Sequence, residues 1–348
     1  MTRAVLQRVN AAPGLVRMAL LAAGLVVALG LPWVLYPPLA MDIMVWALFA
    51  MSLDLLLGYT GLLSFGHAAF WGGSAYTTGI IALRLGWPFP LAVAGGALAA
   101  MLLAVPIGYL AVRRTGIYFA MVTLAFAQMV YFVVNQWRSV TGGENGLQAI
   151  PRSFPGLDLA DPFFFYYGGL PIVLLGMFVA WRVVHSPFGQ VLVAIRENPA
   201  RARALGYSID RYKIMAFVVS AGLAGLAGGL NAISHGFASL DDVYWTTSGK
   251  VVLMTVIGGI GTLWGSGLGA AVIEQLEDYL ATSGFDGIGI VTGAVFVLAV
   301  MVFRRGIWGT VAHWLPRSGD SEVMPSAEPG IGPAGTPTSE VTASTTDR

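Results

Sequence analysis

Asp54 is the one acidic residue that lies clearly inside an apolar run of this chain, in the stretch MSLDLLLGYTG. An ionisable group inside a segment that crosses a membrane is a candidate for contact with a substrate or a proton, because its burial there is expensive. Asp54 is also only four residues from Gly58, near the end of the run. A structural role, in hydrogen bonding or in capping a helix, is therefore the alternative.

The segment that follows Asp54 combines glycine and polar residues in a way that breaks an apolar helix. Residues 58–79 read GYTGLLSFGHAAFWGGSAYTTG. Backbone that is not helical at membrane depth is tolerated only where it is buried in protein or lines a cavity. We therefore predict a polar pathway here, with a packed re-entrant turn as an equal alternative. The candidate pathway residues are Asp54, Gly61, Ser64, Gly66 and His67.

Residues 185–213, which we call the basic segment, concentrate positive charge between two long apolar runs. The basic residues are Arg196, Arg201, Arg203, Arg211 and Lys213, against the acids Glu197 and Asp210. Ser186 and Pro187 predict a helix start, Pro199 divides the segment into two short helices, and Gly206 predicts a helix stop. The charge alone is explained equally well by the retention of Lys and Arg on the cytoplasmic side. The helical order, and a length well beyond the ~2–8 residues of ordinary helix connections, favour a docking surface.

The outer loop at residues 141–147 reads TGGENGL, a composition typical of an exposed turn. It is also a candidate contact for an external partner or for the mouth of a pathway. The residues concerned are Gly143, Glu144, Asn145 and Gly146.

Signatures of common enzymes and metal sites are absent from the sequence. There is no cysteine, and no phosphate-binding loop of the form G-x-x-x-x-G-K-[ST] occurs. The four histidines lack the spacing of a zinc site. Glu274, Glu277 and Asp278 cluster near the end of an apolar run, where a solvated helix terminus is expected. We expect no catalytic residue, no metal ion and no cofactor in this chain.

The elements that must position these residues are apolar helices. The chain is 56% hydrophobic and 11% charged, outside the range of soluble domains. Runs near the ~20 residues needed to cross a membrane recur along it, and within lipid such runs must be helical. They fall at roughly 18–36, 41–57, 66–83, 89–112, 116–135, 164–181, 214–234, 250–264, 267–281 and 287–303. We predict an all-α, polytopic integral membrane bundle of about ten spans, with a half-span possible among the eighth and ninth.

Basic residues in short loops predict the orientation of these spans. With ten spans, the flanking clusters fall on one side, which places both termini in the cytoplasm; nine spans would move the last cluster outside. The clusters are Arg3, Arg8 and Arg17, then Arg113 and Arg114, then the basic segment, then Arg304 and Arg305. The predicted domains are a cytoplasmic segment at 1–17, a membrane domain at 18–305 with its cytoplasmic basic segment, and a disordered cytoplasmic tail at 316–348, rich in Pro, Ser and Thr.

Five sequence blocks resemble the LivM-type permease subunits of ATP-binding-cassette (ABC) importers for branched-chain amino acids. They are residues 58–79, 115–129, 141–147, 186–230 and 258–270, in family order. The resemblance implies the ABC importer permease fold, a non-enzymatic role and a place in the bacterial inner membrane. It also implies partners: a homologous LivH-type permease, two cytoplasmic subunits that bind ATP and Mg, and an external solute-binding protein. No nucleic-acid partner is expected.

In that family the segment matching residues 186–206 inserts into the ATPase and couples it to transport. The coupling residues implied here are Arg196, Glu197, Asn198, Arg201, Ala204 and Gly206. Leu62 stands where the family often has Gln, and the same family includes close relatives for urea and short amides, so the solute stays open. A secondary transporter driven by an ion gradient is the alternative from another class, for which only Asp54 is a candidate ion-coupling group. A passive channel is the third option.

Overall fold

The computed structural model describes residues 14–154, 157–159, 161–283, 288–302 and 306–308. Most of these residues are helical. The helices, in chain order, are α1 Gly14–Val34, α2 Pro37–Thr60, α3 His67–Leu85, α4 Phe89–Ala111, α5 Ile117–Gln136, α6 Arg138–Thr141, α7 Pro162–Val184, α8 Pro187–Glu197, α9 Pro199–Ala204, α10 Ile209–His235, α11 Leu240–Val243, α12 Trp245–Gly258, α13 Trp264–Thr282 and α14 Ile288–Val302.

Extended structure within the described residues is confined to the connections. The loop between α6 and α7 contains a 3-10 turn, Gly143–Asn145, and an antiparallel hairpin of β1 Ser153–Phe154 with β2 Leu157–Asp158. Because α7 runs from this loop to the basic segment, the hairpin and the basic segment lie at opposite ends of the bundle. We call these the hairpin end and the basic end.

Proline and glycine set the ends of several helices. Pro37 and Pro162 lie in the first turns of α2 and α7, where the missing backbone N–H has no helical partner to lose. The Asp161 side chain caps α7 by accepting a hydrogen bond from the Phe163 N–H at 2.8 Å. Gly61 ends α2 in the left-handed conformation, with φ of +74°.

Nine of the ten predicted apolar segments fall on a single helix each, and the eighth, 250–264, falls on α12 and the turn that follows it. The predicted helical class is confirmed. By length and apolarity, five of the described helices can cross a membrane: α2, α4, α5, α7 and α10. Helix α12 has 14 residues, which span about 21 Å at 1.5 Å per residue and fall short of a ~30 Å hydrocarbon core. The count of ten spans therefore stays a prediction. Residues 1–13, Arg304, Arg305 and the tail at 316–348 lie outside the described residues.

Helix α2 occupies the centre of the bundle. Almost all of its side chains are buried, among them Leu48, Phe49 and Leu53. It packs against α7, α10, α12 and α13, and α3 and α4 pack on α10 in turn. Helix α5 leaves much of its apolar surface exposed, as expected of a helix that faces lipid or another subunit. A polar residue on α2 is therefore held by several helices at once.

Helix α3 meets the chain around α11 at very short range. A Cβ atom on Gly72 would lie 2.7 Å from the backbone of Asp242 and of Val243, closer than real contacts allow. Small residues let helix backbones approach closely in membrane proteins. The neighbouring Gly73 is different, because a Cβ there would meet only the Leu103 side chain, at an ordinary 3.8 Å.

We predict that Gly72→Ala destabilises the protein by about 1–3 kcal/mol, the usual effect of overpacking a close contact. Gly73→Ala is the matched control, because it changes helix propensity equally but has room for the new methyl group. The thermal unfolding midpoints of the two variants in detergent test this. Equal midpoints would show that the close approach at Gly72 relaxes without strain.

Candidate functional site

The break between α2 and α3, residues 61–66, is packed into the protein. Two backbone N–H groups of the break, and one in the first turn of α3, donate hydrogen bonds to side-chain hydroxyls. The Phe65 N–H donates to Thr123 Oγ1 on α5 at 3.2 Å, and the Gly66 N–H donates to Ser64 Oγ at 3.2 Å. The Ala68 N–H, in the first turn of α3, donates to Ser248 Oγ on α12 at 2.8 Å. These bonds favour the packed re-entrant turn that was the alternative to an open pathway.

His67 links three helices from a fully buried position. Its Nε2 lies 2.8 Å from Ser220 Oγ on α10, and that hydroxyl donates to the Ser52 carbonyl of α2 at 2.5 Å. Because the Ser220 proton is used towards Ser52, His67 Nε2 is the donor of the bond to Ser220 Oγ. The ring lies edge-on to Phe70 and Phe217. His67 thus connects the start of α3 to the buried parts of α2 and α10.

Asp54 is 0% exposed, and both of its carboxylate oxygens are occupied by backbone donors. The Gly261 N–H donates to Oδ1 at 2.6 Å and the Leu263 N–H donates to Oδ2 at 2.8 Å. Hydrogen bonds to an ionised acceptor are the strong kind, and a buried carboxylate needs them. This geometry favours the structural role over substrate contact. Of the five candidate pathway residues, Gly61 alone is exposed.

The turn between α12 and α13, residues 259–263, is tight and strained. Gly259 and Gly261 have φ of +116° and +78°, which glycine adopts readily. Leu263 has φ of +50° and ψ of −62°, and the Trp264 N–H donates to the Thr262 carbonyl at 2.6 Å across it. This is a γ-turn of the rare positive-φ kind, which persists only where its surroundings hold it. Asp54 supplies two of the bonds that do so.

The basic segment forms two short helices, as predicted. Ser186 caps α8 by accepting from the Gly189 N–H at 3.4 Å, and Asn198 caps α9 by accepting from the Arg201 N–H at 2.9 Å. Gly206 follows α9 in the left-handed conformation, with φ of +88°. The side chain of Asn198, an implied coupling residue, is thus engaged in holding the hinge at Pro199.

Arg196, also an implied coupling residue, turns towards the bundle. Its guanidinium donates to the Gly58 carbonyl of α2. Its aliphatic stem lies over Gly61, where an added Cβ would be 3.2 Å from Arg196 Cγ. Glycine at 61 leaves the space that the stem fills. Arg196 thus joins the basic segment to the end of α2, beside Asp54.

The remaining coupling candidates lie on the exposed side of the basic segment. These are Glu197, Arg201, Ala204 and Gly206. Leu205 lies among them and is 70% exposed, although it is apolar. The sequence placed Leu205 in the apolar pattern of the segment but not among the coupling residues. The signal that could have found it is an apolar residue next to a helix-ending glycine in a charged segment.

The outer-loop candidates lie at the hairpin end and are docked on the chain that follows α10. The Leu147 N–H donates to the Ala238 carbonyl and the Ala238 N–H returns the bond, both at 2.9 Å. Gly143 and Gly146 have φ of +61° and +66°. Gly143 is buried, Gly146 is half-buried, and Glu144 and Asn145 are exposed. Their contact with an outside partner stays a prediction.

A charged cluster corrects the expectation of a solvated terminus at residues 274–278. Lys250 on α12 pairs with Glu274 at 2.6 Å and with Glu277 at 2.8 Å, and its ammonium lies 4.0 Å from the centre of the Trp46 ring. Glu274 is only 9% exposed. Lys250 lies more than 20 residues away in sequence, so local composition could not predict the pairing.

A family model for the permease component of branched-chain amino acid transport systems matches residues 38–303, which include Asp54, Arg196 and Leu263. The chain is 31% identical over 268 residues to the high-affinity branched-chain amino acid transport system permease protein LivM of Salmonella typhimurium, and equally to LivM of Escherichia coli.

The match to LivM covers 68% of this chain and 62% of LivM, so the chain spans less than two thirds of the length of these relatives. The autoinducer 2 import system permease protein LsrC of Klebsiella pneumoniae is 32% identical over 151 residues, which is 40% of this chain and 42% of LsrC. No solved structure matches the chain.

Proposed function

The chain belongs to the family of permease components of branched-chain amino acid transport systems, and on that premise we propose that it is the membrane subunit of an ATP-driven importer for branched-chain amino acids. It forms part of the path for the solute and draws energy from separate ATPase subunits. The proposal places it in the bacterial inner membrane, with the basic end in the cytoplasm.

The observation that carries the proposal is the basic segment. Two capped helices, α8 and α9, present Arg201, Ala204 and Leu205 on an exposed surface, anchored to the bundle through Arg196. The exposed Leu205 follows two exposed arginines, Arg201 and Arg203, in the chain. This arrangement is well explained by a protein groove that buries the apolar side chain inside a polar rim.

The other proposed partners follow from the family and from the two remaining surfaces. A homologous LivH-type permease pairs with this chain to complete the path. A solute-binding protein docks at the hairpin end, where Glu144 is exposed beside the docked loop. ATP and Mg bind only to the ATPase pair. The Leu, Ile and Val specificity comes from the names of the LivM relatives, and urea and short amides are the alternatives to be tested.

A transporter driven by an ion gradient is less well supported. Its candidate group is Asp54, whose two oxygens already accept hydrogen bonds from Gly261 and Leu263. Asp54 is fully buried, and its two bonds support the turn at residues 259–263, which is a structural role.

Uptake by proteoliposomes that contain this chain, its LivH-type partner and the ATPase pair tests the proposal. With the solute-binding protein outside and ATP inside, we expect uptake of leucine and no uptake of urea or acetamide. Imposed proton or sodium gradients without ATP should give none. Uptake driven by a gradient alone would contradict the importer assignment, and ATP-driven uptake of urea would contradict the amino-acid assignment.

A further inference from the structure

Arg196 and Asp54 connect the basic segment to the turn at residues 259–263, and we propose that they transmit movement of the basic segment to that turn. The inference rests on the proposed function, which supplies an ATPase that moves the basic segment. It assigns Arg196 and Asp54 as positioning residues of transport, and it identifies the turn as the part of the permease whose position follows the state of the ATPase.

The first step joins the basic segment to α2. The Arg196 guanidinium donates to the Gly58 carbonyl, and the Arg196 stem packs over Gly61. The bond is charge-assisted and the stem is confined by the glycine surface, so α8 cannot shift along α2 without breaking both contacts.

The second step joins α2 to the turn. Gly58 is wedged between Asp54 and Gly261: a Cβ on Gly58 would overlap Asp54 Oδ1 and would lie 2.6 Å from the Gly261 backbone. No side chain separates the two backbones. Asp54, one helical turn from Gly58, holds the Gly261 and Leu263 N–H groups. The contact path from Arg196 to the turn is therefore continuous, which physical coupling between distant sites requires of rigid packed elements.

The third step concerns the ability of the turn to move. Leu263 is buried in a γ-turn with positive φ, a conformation that its surroundings must impose. Gly259 and Gly261, also at positive φ, flank Ile260, which is exposed. Asp54 accepts hydrogen bonds from two backbone N–H groups of this turn, so a shift of Asp54 relative to the turn would break both.

The absence of cysteine from the chain permits a direct test. An Ile260→Cys variant carries the chain's one thiol on the exposed tip of the turn. The complete importer, with both ATPase subunits, is placed in nanodiscs, and the rate of labelling of this chain by a small maleimide is compared without nucleotide and with ATP and vanadate. We expect the rates to differ about fivefold or more, the lower end of typical coupling between sites.

Variants of Arg196 are then added to the Ile260→Cys chain. Arg196→Met keeps the stem over Gly61 but removes the donor to Gly58, and we expect the nucleotide-dependent difference to fall below about twofold. Arg196→Lys keeps a charged donor and should restore part of the nucleotide-dependent difference in labelling rate. A merely structural role of Arg196 would not predict this recovery. Arg114→Met is the matched control, because Arg114 is exposed after α4, outside the basic segment, and should leave the difference unchanged.

Two results would overturn the inference. One is an undiminished difference in Arg196→Met, and the other is the absence of any nucleotide dependence at Ile260→Cys in a complex that hydrolyses ATP. Failure of the proposed function gives a separate result, because the chain would then not copurify with the ATPase subunits, and the inference would fall with it.

Discussion

Asp54→Asn is expected to destabilise the protein and to abolish most of its transport. The carboxamide matches the carboxylate in shape, but it has one acceptor oxygen where two are used. Its NH2 group would face the Gly261 or the Leu263 N–H, and one backbone donor would be left without an acceptor at a position with 0% exposure. An unsatisfied buried donor costs about 1–3 kcal/mol, and the clash of two donors adds to this. The strained turn at Leu263 would then lose its support.

Thermal unfolding in detergent and leucine uptake in proteoliposomes measure the two effects. Asp210→Asn is the matched control, because it makes the same substitution at an exposed acid on the first turn of α10. We expect the control to lie within about 0.5 kcal/mol of the parent, as surface substitutions usually do. If Asp54→Asn were as stable and as active as Asp210→Asn, the inference that the Asp54 carboxylate stabilises the turn at residues 259–263 would be wrong.

Leu205→Asp is expected to separate the chain from its ATPase subunits without unfolding it. Leu205 is 70% exposed, so the folded chain has little to lose by its replacement. In the proposed complex the leucine is buried, and full burial of a leucine is worth about 1.5–3 kcal/mol. An aspartate in the same groove also brings a charge that must be desolvated. We therefore expect ATPase binding to weaken by at least about tenfold, which corresponds to ~1.4 kcal/mol.

Leu205→Met provides the control at the same position, because it conserves volume and apolarity. Retention of the ATPase subunits through purification measures docking, and the unfolding midpoint of the permease shows whether the fold is intact. Full retention in Leu205→Asp would contradict docking through this surface. Equal losses in both variants would show that any change at 205 is disruptive, and would equally contradict an apolar anchor.

The sequence predicted those features of the fold that depend on neighbours in the chain. Nine of the ten apolar runs fall on single helices, and Ser186, Pro199 and Gly206 cap, divide and end the two helices of the basic segment as expected. In each of these cases the information is local, because a cap or a stop acts within one helical turn.

The features that the sequence did not predict depend on pairs that are far apart in the chain. Asp54 bonds to Gly261, 207 residues away, and Arg196 bonds to Gly58, 138 residues away. Polarity at Asp54 indicated a special position but not its partner, so a pathway role and a structural role fitted equally well. The Lys250 pair with Glu274 was missed for the same reason. Tertiary packing alone decides such contacts.

Attachment of the ATPase to the basic segment is the central claim, and a crosslink tests it most directly. Ala204→Cys, a small change on the exposed surface of α9, introduces the chain's one thiol beside Leu205. A short thiol-to-amine reagent applied to the assembled importer should join this chain to an ATPase subunit. Trp87→Cys, on the exposed loop at the hairpin end, should give no such product. An ATPase adduct from Trp87→Cys, or none from Ala204→Cys in a complex that hydrolyses ATP, would contradict the account.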